Sequence, residues 1–175
     1  MNQNTVLECA RPTELSDLLE GLEAEHAELA EWLAKWSKAA NDAVERGGGS
    51  HTARTFMDLE SEIVAFTQKL EGHLNRACEE LHPLLRSYVG AERLASLSPE
   101  AWTYDKKYEL AKENAAAFHQ EAQQLTEISE SERLQRLTSY WKQAHEGFEN
   151  SLVIEKTLLF PIAEDLLTDL DYLFS

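Results

Sequence analysis

The chain is expected to be all-α, an antiparallel up-down-up-down four-helix bundle, and three observations lead there. Apolar residues recur at three- and four-residue steps through most of the 175 residues, the signature of amphipathic helices. No segment shows the alternation of a half-buried strand. Glycine and proline are few, 7 and 4; three of the glycines sit together at Gly47 to Gly49, and the prolines lie toward the ends of the periodic stretches, where breakers belong. At this length a single domain covering 1–175 buries a real core without disulfides. Residues 1–12 are expected to form a flexible N-terminal segment.

The first helix is expected from about Thr13 to Val44, with Leu15, Leu18, Leu22, Leu29, Leu33 and Trp36 as its inner stripe. The run RGGGSHT ends it. A second helix follows to about Val89 on Phe56, Leu59, Ile63, Phe66, Leu70, Leu74, Leu81 and Leu85. SLSPE then supplies Ser98 as a cap and Pro99 at the first helical position, where its missing N–H costs nothing. The third helix carries Tyr104, Tyr108, Ala115, Phe118 and Ala122. In SESE, Ser129 and Glu132 are spaced as a capping box, so the fourth helix starts near Ser131. It runs along Leu134, Leu137, Trp141, Phe148, Leu152, Leu159, Ile162 and Leu166, with a kink or break expected at Pro161. Short connections between helices of similar length favour antiparallel neighbours.

Acidic residues outnumber basic ones 32 to 16, a formal net charge of -16. That balance argues against capture of nucleic acid or of an anionic membrane surface. Cys9 and Cys78 are far apart and form no C-x-x-C pair, which removes a disulfide framework and points to a reduced, cytoplasmic setting. No stretch approaches the roughly 18 apolar residues of a membrane span. GGGS has no lysine after it and no strand before it, so it cradles no phosphate. No serine or cysteine sits on a nucleophile elbow.

Chemistry is therefore sought in the histidines. His26 falls within the first stripe, and His73 and His119 lie near the inner edges of theirs, about 60° off centre. On the fourth helix His145 and Glu155 flank the stripe at about 40° on either side, with Glu149 at about 80°. Counting from the connections at 1.5 Å per residue puts His26 and His73 level, and brings His119 and His145 close to the same height. His26, His73, His119 and His145, joined by Glu149 or Glu155, form a candidate nitrogen-and-carboxylate cage for iron or another first-row metal.

The arrangement resembles the hemerythrin-like family of histidine-histidine-glutamate cation-binding domains. His26 in LEAEHAELAEWL matches the histidine of the family's first helix. In HLNRACEELHPLL His73 stands correctly relative to Pro83, but Ala77 occupies the glutamate position. In SLVIEKTLLFP Glu155 and Pro161 match, while Ser151 occupies the histidine position. His145 with Glu149 offers a rival histidine-x-x-x-glutamate register on the same helix. The resemblance implies a non-haem iron cofactor, di-iron or reduced to one metal, and a small diatomic ligand such as dioxygen or nitric oxide, or the metal ion itself, as partner. It implies a binding or sensing protein, monomer or homodimer, more than an enzyme. A metal-free helical module acting on a protein partner, with Trp32, Trp36, Trp102 and Trp141 as anchors, is the alternative. A ferritin-like di-iron oxidase has only EAEH (Glu23–His26) and EELH (Glu79–His82) to support it, and those histidines fall at different heights.

Overall fold

The computed structural model describes residues 12–46, 49–89, 98–126 and 131–174; all but 123–126 are helical, and no strand lies among them. Helix α1 is Pro12–Arg46. Helix α2 occupies residues 49–89 as an α-helix Gly49–Arg76, a π-turn Ala77–Leu81 and an α-helical end His82–Val89. Helix α3 is Ser98–Ala122. Helix α4 occupies residues 131–174 as Ser131–Ile154, a π-turn Glu155–Leu159 and Phe160–Phe174. The expected flexible segment, the side chains of Ser98, Trp102 and Tyr104, and the Ser129 half of the capping box lie outside the described residues.

Pro12 opens α1, where the absent N–H breaks no helical bond. Where the sequence reads as a glycine turn through His51, Gly49–His51 already belong to α2. The kink expected at Pro161 takes a specific form. The N–H of Phe160 reaches back five residues to the Glu155 carbonyl, and that of His82 likewise to Ala77. In a regular α-helix the proline ring collides with the carbonyl four residues earlier. Widening the turn just before Pro83 and Pro161 turns that carbonyl aside, and each helix continues.

The core falls into two apolar clusters. The larger one holds Leu29, Leu33, Trp36, Phe56, Phe66, Phe118, Trp141, Phe148 and Leu152 among others, drawn from all four helices. The smaller gathers Leu15, Leu19, Leu22, Ala77, Leu81, Leu85, Phe160 and Ala163. Between them, buried polar side chains interrupt α1, α2 and α4 at His26, His73, Ser151 and Glu155. On its other flank α4 presses close to α3 at Gly147, where an added Cβ would stand 2.5 Å from the Ala111 Cβ and 2.9 Å from the Lys107 carbonyl oxygen. No described helix is long and apolar enough to cross a membrane.

Candidate functional site

The polar layer is positioned by pairings that run in opposite directions along neighbouring helices. Between α1 and α2, Glu28 meets Lys69 at 2.6 Å, Glu25 meets His73 at 3.2 Å and Trp36 meets Glu62 at 3.1 Å. His26 and His73 are therefore level, with ring centroids 6.2 Å apart. Between α1 and α4, His26 Nε2 donates to the Leu152 carbonyl at 2.8 Å. One turn further along α4, Glu155 Oε2 lies 2.9 Å from His73 Nε2.

Glu155, the one carboxylate in the largely apolar run SLVIEKTLLFP, thus faces an imidazole. His73 is 2% exposed and Glu155 3%, which makes the pair a buried one, where an unmatched charge is costly. The other ring nitrogen of His73, Nδ1, lies 3.2 Å from Glu25 Oε2, and Arg76 Nη1 holds the second oxygen of Glu25. Burial on its own would push the His73 ring toward the neutral form. The hydrogen bonds and charges of Glu155 and then Glu25 outweigh it, so the His73 pKa is raised above its ordinary value.

Each imidazole has one nitrogen engaged by an acceptor from outside the pair. His26 gives Nε2–H to a backbone carbonyl, and His73 can give Nδ1–H to Glu25. This is how protein scaffolds fix the tautomer of a metal-ligating histidine, leaving the second nitrogen with its lone pair. Among the described residues no group of three or more histidine, cysteine, aspartate or glutamate side chains is placed to hold a metal ion, and His73 Nε2 is occupied by Glu155.

The remaining candidates lie elsewhere. His119 Nδ1 is 2.9 Å from Glu60, and Glu60 precedes His73 by thirteen residues on α2, about 20 Å along the axis. The α2–α3 pairs His119–Glu60 and Lys112–Glu71 centre near residue 91. Counting from Ala95 places His119 about two and a half turns too close to His73. His145 faces the Leu33 backbone, seven residues and about 10 Å beyond His26. Its Nδ1 is 3.8 Å from the exposed Glu149, its ring packs on Trp141 at 5.8 Å between centroids, and burial lowers its pKa. The structure thus joins His26, His73 and Glu155 and separates His119, His145 and Glu149 from them.

Two residues escaped the sequence reading: Glu25, which orients His73, and Arg76, which holds Glu25. The signal for Glu25 was its place beside His26 in EAEH, one position round the helix toward α2. No protein family, curated protein or solved structure matches the chain.

Proposed function

We propose that the chain is a hemerythrin-like, antiparallel up-down-up-down bundle whose polar layer takes a single first-row metal ion, iron foremost, through His26, His73 and Glu155. The observation that carries this reading is the buried meeting of two level imidazoles and one carboxylate, with each imidazole held from outside by an acceptor. Two histidines and one carboxylate are the donor set of mononuclear non-haem Fe(II) proteins. A second metal would need further donors where Ala77 and Ser151 stand, so one metal is the better fit. His119, His145 and Glu149 are left out of the ligand set.

Iron held in this way would supply open coordination positions for a small ligand such as dioxygen or nitric oxide. The chain's part is to fix the two ring tautomers, to keep bulk water out of a layer walled by apolar clusters, and to release the His73 proton as metal replaces it. One observation favours a second reading. Both nitrogens of His73 lie against carboxylates, so in a metal-free module the protonated ring would be a purely structural bridge.

Anaerobic titration with Fe(II), followed by calorimetry and elemental analysis, tests the proposal. One ion per chain is expected, with affinity rising with pH as the proton is displaced. His73→Ala should abolish binding, and Glu25→Gln should weaken it by about 10–100-fold through loss of the orienting acceptor. Unchanged stoichiometry in His73→Ala, or a thermal midpoint indifferent to Fe(II), leaves the structural bridge as the correct reading.

A further inference from the structure

The α1–α4 interface departs from the rest of the molecule. His26 on α1 donates to the Leu152 carbonyl of α4, and His145 on α4 faces the Leu33 backbone of α1. His26 makes the hydrogen bond across the interface, and His145 stands beside Leu33 seven residues further along the pairing, about 10 Å away. An imidazole bridging to the opposite backbone holds two helices further apart than interlocking aliphatic side chains do. Leu33 and Leu152 meet the core, but the space outside them stays open as a groove of about 510 Å³.

That volume lies in the range of small-molecule sites. Its walls are apolar along the middle, with Ala30 and Ala34 on one side and Val153, half exposed, on the other. The small side chains on α1 leave it open. Its ends are cationic. Lys38 lies twelve residues beyond His26 along α1, about 18 Å, and Lys156 lies one turn beyond Leu152 at the opposite end. Glu149 is the one acidic side chain in the lining. In a chain with twice as many acids as bases, the groove reverses the prevailing charge. Around Lys38 the lining side chains Ser37 and Asn41 add polar groups and no carboxylate.

We propose that this groove binds an unesterified alkyl carboxylate, its head group on Lys38 with Ser37 and Asn41, and its chain laid along Ala34, Ala30 and Val153 past the lining histidines His145 and His26. The acyl chain matches the apolar middle. The carboxylate matches the end whose lining has a lysine and no acid. The groove shares His26 with the proposed metal layer, but its carboxylate-binding end at Lys38 lies about 18 Å from that residue.

The test uses the full chain without added metal, titrated with octanoate, decanoate and dodecanoate by calorimetry and by tryptophan fluorescence, to which Trp141 contributes through its tilted contact with the groove-lining His145. One ligand per chain is expected, with affinity rising by up to about fourfold per methylene that enters the groove. Lys38→Glu should weaken dodecanoate by about tenfold or more, the scale of one lost charge-assisted contact. Ala34→Leu, on an exposed wall position where folding tolerates it, should weaken the longest chain most. Equal affinity for dodecanol, absence of chain-length dependence, or full affinity in Lys38→Glu would each overturn the assignment. Fe(II) titration of Lys38→Glu should match that of the unaltered chain, so failure here and failure of the metal proposal are read separately.

Discussion

The two π-turns are built alike and carry different chemistry. Ala77–Leu81 and Glu155–Leu159 each end two residues before a proline, Pro83 and Pro161, and each widens the helix by the same five-residue backbone bond. Laid over one another, His73 corresponds to Ser151 and Ala77 to Glu155. The first turn is led by a histidine and has alanine at its first position, with Glu79 and Glu80 exposed further along; the second is led by a serine and has the buried carboxylate, Glu155, at its first position. In space the two halves complete each other, because His73 and Glu155 bond directly at 2.9 Å. The wide turn is a consequence of proline sterics, and the chemistry placed on it is an independent choice of side chain.

The sharpest way to break this complementarity is to remove the histidine alone. His73→Leu leaves Glu155 buried among apolar neighbours without a cation. We expect a loss of about 3–5 kcal/mol at neutral pH, as for one partner removed from a buried ion pair. The corresponding position on α4 should respond far less. Ser151 is equally buried, but its hydroxyl donates to the Gly147 carbonyl of its own helix, and Ser151→Ala should cost no more than about 1 kcal/mol. Urea denaturation of the two variants decides the matter; equal losses would mean that the pair is not what distinguishes the turns.

A smaller change separates charge from shape. Glu155→Gln keeps the side chain's outline and is expected to cost about 1–3 kcal/mol at pH 6. Its more telling effect is on pH dependence. Burial opposes protonation of His73, and Glu155 with Glu25 overrides it, so the folded pKa is raised above the unfolded value of 6.5. The stabilisation from such a group is complete below the unfolded pKa and is lost as pH rises through the folded one. The metal-free chain should therefore lose stability as pH climbs above about 6.5. In Glu155→Gln that decline should flatten. A decline of the same size in both proteins would assign it to other groups.

The sequence made the four rods legible because each apolar stripe is long and its period unbroken. It also made His26 and His73 level, since α1 and α2 are joined by a short connection and their pairing is nearly symmetric about it. The same counting failed for His119. The longer connection between α2 and α3 is not crossed at its middle, and one misjudged midpoint displaces every residue beyond it. Pro161 announced a disturbance, but periodicity does not tell a kink from a wide turn, which adds a residue without ending the helix. Two estimates disagreed over the fourth helix: height favoured His145 with Glu149, the proline spacing favoured Glu155. Glu155 is the residue joined to His73, because its distance to the proline is fixed within one helix, whereas height is carried across several connections. Glu25 stayed hidden since a helical wheel assigns each residue to one face, and a glutamate at the edge of that face reaches a neighbouring helix.

The finest comparison exchanges the prolines themselves. Pro83→Ala and Pro161→Ala each restore an N–H and remove the ring that the wide turn avoids, while loosening the unfolded chain by about 0.4–1 kcal/mol. Their effects on the polar layer should differ. Closing a π-turn to an α-turn takes up one residue of advance and rotates the adjoining segment by about 100°. On α4 the first residue of that turn is Glu155, so Pro161→Ala should disturb its bond to His73 and lower the midpoint at which the His73 ring titrates by NMR. On α2 the turn begins at Ala77, one helical turn beyond His73, and the same substitution at Pro83 should leave that midpoint in place. Equal shifts from both variants would show that the two turns move as a unit, and that the carboxylate's position is set by core packing rather than by the proline six residues away.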